Sequence, residues 1–156
     1  MKKINSLACV TAAFFAASTA LAGNVSVFGP WLGGDQENVE AVLDGYANAT
    51  GNTYSYVGSD SFEQQVRIDA EAGSAANVSV FPQPGLAADF AKLGFLTPLA
   101  SGTGDWVRDN YAAGQSWVDL GTYADPDGKD NLYGFFYKID VKSLVWYSPE
   151  NFDDAG

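Results

Sequence analysis

The pentapeptide Asn-Val-Ser-Val-Phe occurs twice in this chain, at Asn24–Phe28 and again at Asn77–Phe81. Each copy alternates β-branched or aromatic residues with small polar ones, the pattern of a short strand. Each is followed by a proline-bearing loop, Gly29-Pro30-Trp31 or Pro82-Gln83-Pro84, and proline cannot donate to a sheet ladder. After each loop the apolar period changes from two to nearly four. Leu86, Phe90 and Leu93 recur at i, i+4 and i+7 ahead of Gly94, the signature of one helical face closed by a C-terminal glycine. Two chance copies of one buried-strand alternation explain the repeat. Either way both segments read as strands of one sheet.

Between the copies the alternation continues. Val25–Phe28 is the first predicted strand. A helix follows, capped by Asp35 or a neighbour, with Val39, Val42, Leu43 and Tyr46 on its inner face and Gly51 at its end. Tyr54–Val57 reads as the second strand. Asp60 and Glu63 have capping-box spacing at the head of a helix whose face is Phe62, Val66 and Ala70. Strand–helix order repeated three times predicts an α/β fold with a mostly parallel sheet flanked by helices. In such a sheet, ligands lie in the crevice outside the carboxyl ends of the strands.

Beyond Leu99 the character changes. A short helix is expected around Trp106–Ala112. Trp117–Tyr123, Leu132–Tyr137 and Leu144–Tyr147 read as strands between acidic turns, and Asn151–Gly156 opens a further helix. Asp125-Pro126-Asp127-Gly128-Lys129-Asp130 superficially matches a calcium loop. Lysine occupies a position that such a loop gives to an oxygen ligand, so an acidic turn is the reading. The Asn-x-Ser/Thr triplets at Asn24, Asn48 and Asn77 have chance-like frequency, and two fall in predicted strands.

The N-terminus reads as a secretory signal over residues 1–22. Lys2 and Lys3 precede an apolar stretch that ends in Ala20-Leu21-Ala22, a small-x-small cleavage pattern. Asn5, Ser6, Thr11, Ser18 and Thr19 interrupt it too often for a membrane span. Cys9 lies inside the stretch and is removed with it. Loss of Lys2 and Lys3 from the 8 basic residues leaves 6 against 19 acidic ones, a net charge of −13. Such a chain repels phosphates, which argues against nucleic acid as a partner. The remaining chain has neither histidine nor cysteine, which removes Ser-His-Asp and Cys-His catalysis, disulfides and the usual zinc sites. Carboxylate-pair chemistry, as in glycoside hydrolysis, is what remains to an enzyme.

Five blocks in order carry a resemblance: VFGPWLGGDQ (Val27–Gln36), GSDSFEQQVRI (Gly58–Ile68), VFPQPGLAADFAKLGFLTPL (Val80–Leu99), NYAAGQSWVDLGTY (Asn110–Tyr123) and LYGFFYKIDVKSLVWYSPENF (Leu132–Phe152). They resemble the extracellular solute-binding proteins of carbohydrate ABC importers, in the α-glucoside-binding branch. One departure is Ala75-Ala76-Asn77, where these proteins usually carry a proline and an aspartate. Another is length, since the family has two lobes and this chain covers little beyond one. The resemblance implies a periplasmic, monomeric protein that captures an α-glucoside such as maltose, sucrose or trehalose and hands it to a permease, without catalysis or cofactor. It implies residues 23–135 as an N-terminal lobe and 136–156 as the start of a crossing to a truncated second lobe.

Sugars present apolar C–H faces and a rim of hydroxyls, so their sites pair aromatic platforms with amide and carboxylate partners. Residues after the predicted strands that meet this need are Trp31, Asp35 and Gln36, then Ser61, then Phe81 and Gln83, with Tyr137 near the crossing. Phe62 and Gln64 fit a core helix face and a plain helix surface better, and at most one of Phe136 and Tyr137 faces a cleft. Two alternatives stand beside this reading: a secreted glycoside-active enzyme built on acid pairs, and an orphan lobe without a ligand.

Overall fold

The computed structural model describes residues 23–139 and 146–155. The predicted signal segment, and Leu144 and Val145 of the last predicted strand, lie outside them. Trp146 and Tyr147, the rest of that predicted strand, are not extended into a ladder.

Residues 23–94 build the expected sheet. Strand β1 (Asn24–Gly29) is central, paired in parallel with β2 (Thr53–Gly58) on one side and β3 (Val78–Ser79) on the other. The two pentapeptide copies are therefore neighbours, but staggered: Val27 faces Val78 and Phe28 faces Ser79. Asn77 sets this register. Its side-chain oxygen accepts from the Ser26 amide at 3.0 Å and hydroxyl at 2.9 Å, and its own amide donates to Ser26 Oγ at 2.9 Å. The ladder of β3 is shorter than the pentapeptide because the prolines follow at once, although Val80 N–H still reaches the Phe28 carbonyl at 2.8 Å.

Helices α1 (Gly34–Thr50), α2 (Phe62–Glu71) and α3 (Pro84–Lys92) follow their strands as the periodicity requires. The core lies where α2 and α3 meet the sheet. Phe28, Phe62, Val66 and Phe90 are buried together, with Phe62 and Phe90 each 1% exposed. Their rings meet at angles, Phe28 to Phe62 at 4.9 Å, Phe62 to Phe81 at 5.8 Å and Phe81 to Phe90 at 5.4 Å, separations at which tilted aromatic pairs attract.

Several local expectations are corrected. The N-cap of α1 is Gly33, not Asp35, which sits in the first turn where its charge complements the helix dipole. Of the face expected on α1, Val39 is buried and Leu43 half-buried, while Val42 and Tyr46 are exposed. The Asp60–Glu63 capping box does not form, because the helix begins one residue later, with Ser61 as N-cap. On α3, Leu86 and Phe90 face the core but Leu93 is 55% exposed, since the helix has ended at Lys92. Gly94 does adopt the left-handed conformation (φ 78°) that a chain leaving a helix takes up.

The second half holds the larger differences. Helix α4 (Thr103–Asn110) forms where a short helix is expected, but starts three residues before Trp106 and ends two before Ala112. The strand expected at Trp117–Tyr123 is instead helix α5 (Gln115–Leu120) followed by strand β4 (Thr122–Ala124). The i,i+4 bond from Gln115 Nε2 to Asp119 at 2.6 Å supports the helical turn. Strand β5 (Asp130–Leu132) pairs antiparallel with β4, and the strand expected to run on to Tyr137 stops at Leu132. There the chain turns across Gly121, where an added Cβ would lie 2.2 Å from the Gly134 carbonyl oxygen. The turn between β4 and β5 is the acidic one expected. Asp125 Oδ1 accepts from the amides of Asp127 and Lys129, both at 2.9 Å. Helix α6 (Pro149–Asp154) opens with Ser148 as a side-chain cap. Among the described residues no helix is long and apolar enough to cross a membrane.

Candidate functional site

Trp31 is the second residue after β1, at the carboxyl edge of the sheet. Its backbone is fixed at both polar atoms by one side chain. The Tyr56 hydroxyl of β2 accepts from the Trp31 amide at 3.1 Å and donates to the Trp31 carbonyl at 3.1 Å. Gly58 makes that close approach feasible, because a Cβ there would lie 2.2 Å from the Trp31 carbonyl oxygen.

The indole so held borders a groove of about 280 Å3 between the β1–α1 loop, the first turns of α1 and the segment at 137–138. Val39 and Val42 form its apolar floor, and Asn38 lies beside them. This gives the exposed Val42 a place that the helical period alone did not suggest. Tyr137 closes one side, its hydroxyl accepting from the Trp31 indole N–H. Lys138 closes another. Its ammonium lies 4.4 Å from the Trp31 ring centroid, a cation–π contact, and 3.1 Å from Asp35 Oδ1. Burial pushes the Tyr137 phenol above its usual value, with the indole hydrogen bond acting in the opposite sense. Burial likewise raises Tyr56, against the opposing effect of its bond to the Trp31 backbone.

Of the residues singled out from sequence, the groove brings together Trp31, Asp35 and Tyr137. Gln36 lies next to Asp35 but turns along the helix to Glu40, 2.9 Å away. Ser61 is exposed at the head of α2 and bonds Asp60 at 3.2 Å. Gln83 is exposed as the N-cap residue of α3, at the same edge of the sheet. Phe81 is half-buried against Phe62 and Phe90, so its ring serves the core. Phe62 is core too, and Gln64 is exposed on α2. Residues missed were Tyr56, Asn38 and Lys138. Tyr56 alternates inward on a strand, and Lys138 is one residue past Tyr137; neither has a local signal. Their roles come from neighbours 25 and 103 residues away.

Among the described residues no cluster of histidine, cysteine, aspartate or glutamate could hold a metal. What the groove offers is an indole face, a phenol and a carboxylate–ammonium pair: apolar surface with a few convergent polar groups.

A parallel sheet with a helix after each strand, and a polar-rimmed aromatic groove at its carboxyl edge, define a partial lobe of the periplasmic solute-binding type. The chain is homologous to such proteins. It is 55% identical over 132 residues to the alpha-glucosides-binding periplasmic protein AglE of Rhizobium meliloti, a match covering 85% of this chain and 29% of that protein. It is 40% identical over 133 residues to the osmoprotective compounds-binding protein GgtB of Synechocystis sp., covering 85% of this chain and 30% of that protein. The chain thus spans about 30% of the length of the curated relatives it matches. No protein-family model matches it.

Proposed function

We propose that the chain is the N-terminal lobe of a periplasmic protein that captures an α-glucoside of the maltose, sucrose or trehalose class for delivery to an ABC import permease. The observation that carries this reading is the Trp31 groove, where an aromatic platform stands beside the paired Asp35 and Lys138. The name of the 55% identical relative points to the same ligand class. A pyranose would lay its C–H face on the indole, while Asp35 accepts and Lys138 donates to its hydroxyls. Ser61 and Gln83 stand on loops at the same edge and supply further hydroxyl partners. The protein is a binder rather than an enzyme, carries its ligand without a cofactor and works as a monomer. Residues 1–22 direct its export, residues 23–135 form the lobe, and residues 136–156 begin the crossing to a second one.

Micromolar sugar binding takes about 8 kcal/mol. Two-lobed binders close over their ligand with contacts from both sides. A segment with roughly half of that energy binds at about millimolar level. Titration of the chain with maltose, sucrose and trehalose, followed by NMR of its tryptophan indoles, tests the reading. Saturable millimolar shifts at Trp31 support it. Micromolar affinity overturns the division of contacts, and no response to any α-glucoside overturns the ligand class.

A further inference from the structure

A second groove lies against the first, and Tyr137 is a wall of both. Its volume is about 420 Å3. Tyr111, Trp117 and Phe136 line it with aromatic surface, with Asn110, Ala112 and Ile139 around the rim. These rings are organised rather than scattered. Tyr111 and Trp117 stand 6.4 Å apart, Trp117 and Phe136 5.3 Å. The Tyr111 hydroxyl donates to the Phe136 carbonyl at 2.6 Å, which fixes the backbone just before Tyr137. From the other side, the Trp31 indole holds the Tyr137 hydroxyl. The dividing residue is therefore anchored from both compartments.

Volume also separates the two. At about 280 Å3 the first groove falls below the roughly 300–1,000 Å3 that ligand sites occupy, and the neighbouring space brings the total into that range. Asn110 donates its amide N–H to the Trp106 carbonyl at 2.8 Å, and its amide oxygen has no partner among the described residues. It can accept from a ligand hydroxyl at the rim.

We propose that Tyr137 partitions one continuous site, and that the Tyr111–Trp117–Phe136 compartment takes the second ring of an α-linked disaccharide whose first ring lies on Trp31. This rests on the α-glucoside reading of the first groove. It makes the second compartment the determinant that separates disaccharides from simple glucosides.

The test compares maltose with methyl α-glucoside on the full chain by NMR. Methyl α-glucoside should shift the Trp31 indole N–H alone, whereas maltose should shift Trp31 and Trp117 together. Ala112→Trp fills the second groove without removing a packed side chain. It should weaken maltose about tenfold and leave methyl α-glucoside within about twofold. Trp117→Ala should act in the same direction. If maltose leaves Trp117 unmoved, or Ala112→Trp weakens both sugars equally or neither, the partition is wrong while the sugar reading stands. If neither sugar shifts Trp31, the sugar reading falls and the partition with it.

Discussion

Lys138 lies over the face of Trp31, its ammonium 4.4 Å from the ring centroid, and is held there by the Asp35 carboxylate at 3.1 Å. The pair links the loop after the first strand to a segment more than a hundred residues later. A ligand that stacks on the half-buried indole must share that face with the ammonium or push it toward Asp35.

Replacing Trp31 by alanine should therefore cost affinity and spare the fold. Burying an aromatic face against a sugar is worth about 1.5–3 kcal/mol, roughly a tenfold to hundredfold change in Kd. Tyr56 binds only the backbone of Trp31, so its two bonds survive the substitution. The check is a ligand titration beside a thermal melt. A large fall in Tm with unchanged affinity would show that the indole is structural.

Gly58→Ala makes the opposite prediction. The new methyl would lie 2.2 Å from the Trp31 carbonyl oxygen, a backbone atom that cannot swing aside as a side chain can. Forced overlap of this kind costs about 1–3 kcal/mol. Chemical denaturation should show that loss, and the displaced loop should weaken ligand binding in the same variant.

In the core, Phe62→Ala should cost about 3–5 kcal/mol, a large share of the roughly 5–15 kcal/mol by which a domain is stable. Leu93→Ala, in the same predicted pattern of helical faces but 55% exposed, should change stability by no more than about 0.5 kcal/mol. Urea midpoints of the two variants decide whether the face ends at Phe90.

How far the fold was legible follows from cases like Leu93. Period and punctuation were enough for β1, α1, β2, α2, β3 and α3, because each carries its own apolar pattern and its own glycine or proline boundary. They failed at Gln115–Leu120, where six residues are too few to separate a helical period from a strand alternation, and a Gln115–Asp119 bond favours the helix. They failed again after Leu132, where the chain is shaped by the close approach of Gly121 to Gly134 rather than by its own residues. The groove was half legible. Aromatic and acidic residues after strands could be picked out, but partners such as Tyr56 and Lys138 emerge only when distant segments meet.

Alkaline pH should loosen the groove. Burial raises the phenols of Tyr137 and Tyr56 above the ordinary value near 10. Below that value both folded and unfolded chains keep the proton, and the contribution to stability is complete. As the pH climbs past it, the unfolded chain ionises first, and stability falls as the folded values are approached. Urea midpoints measured from about pH 8 to about pH 11 should decline at the upper end, and Tyr137→Phe should flatten the decline.

Export is open to direct chemistry. The arrangement of Lys2, Lys3 and Ala20-Leu21-Ala22 predicts a mature N-terminus at or near Gly23. Edman sequencing of periplasmic material should begin there. Material starting at Met1, or lipid attached to Cys9, would exclude that processing.

The two hydrogen bonds from Tyr56 to the Trp31 backbone carry a kinetic corollary. A loop residue fixed at both its amide and its carbonyl has surrendered its torsional freedom during folding, so an arriving sugar need not immobilise it. For the proposed α-glucoside ligand, encounter then requires little rearrangement of this loop, and arrival rates should hardly differ from one glucoside to the next. Discrimination would be written in residence time: the preferred sugar is the one that leaves slowly.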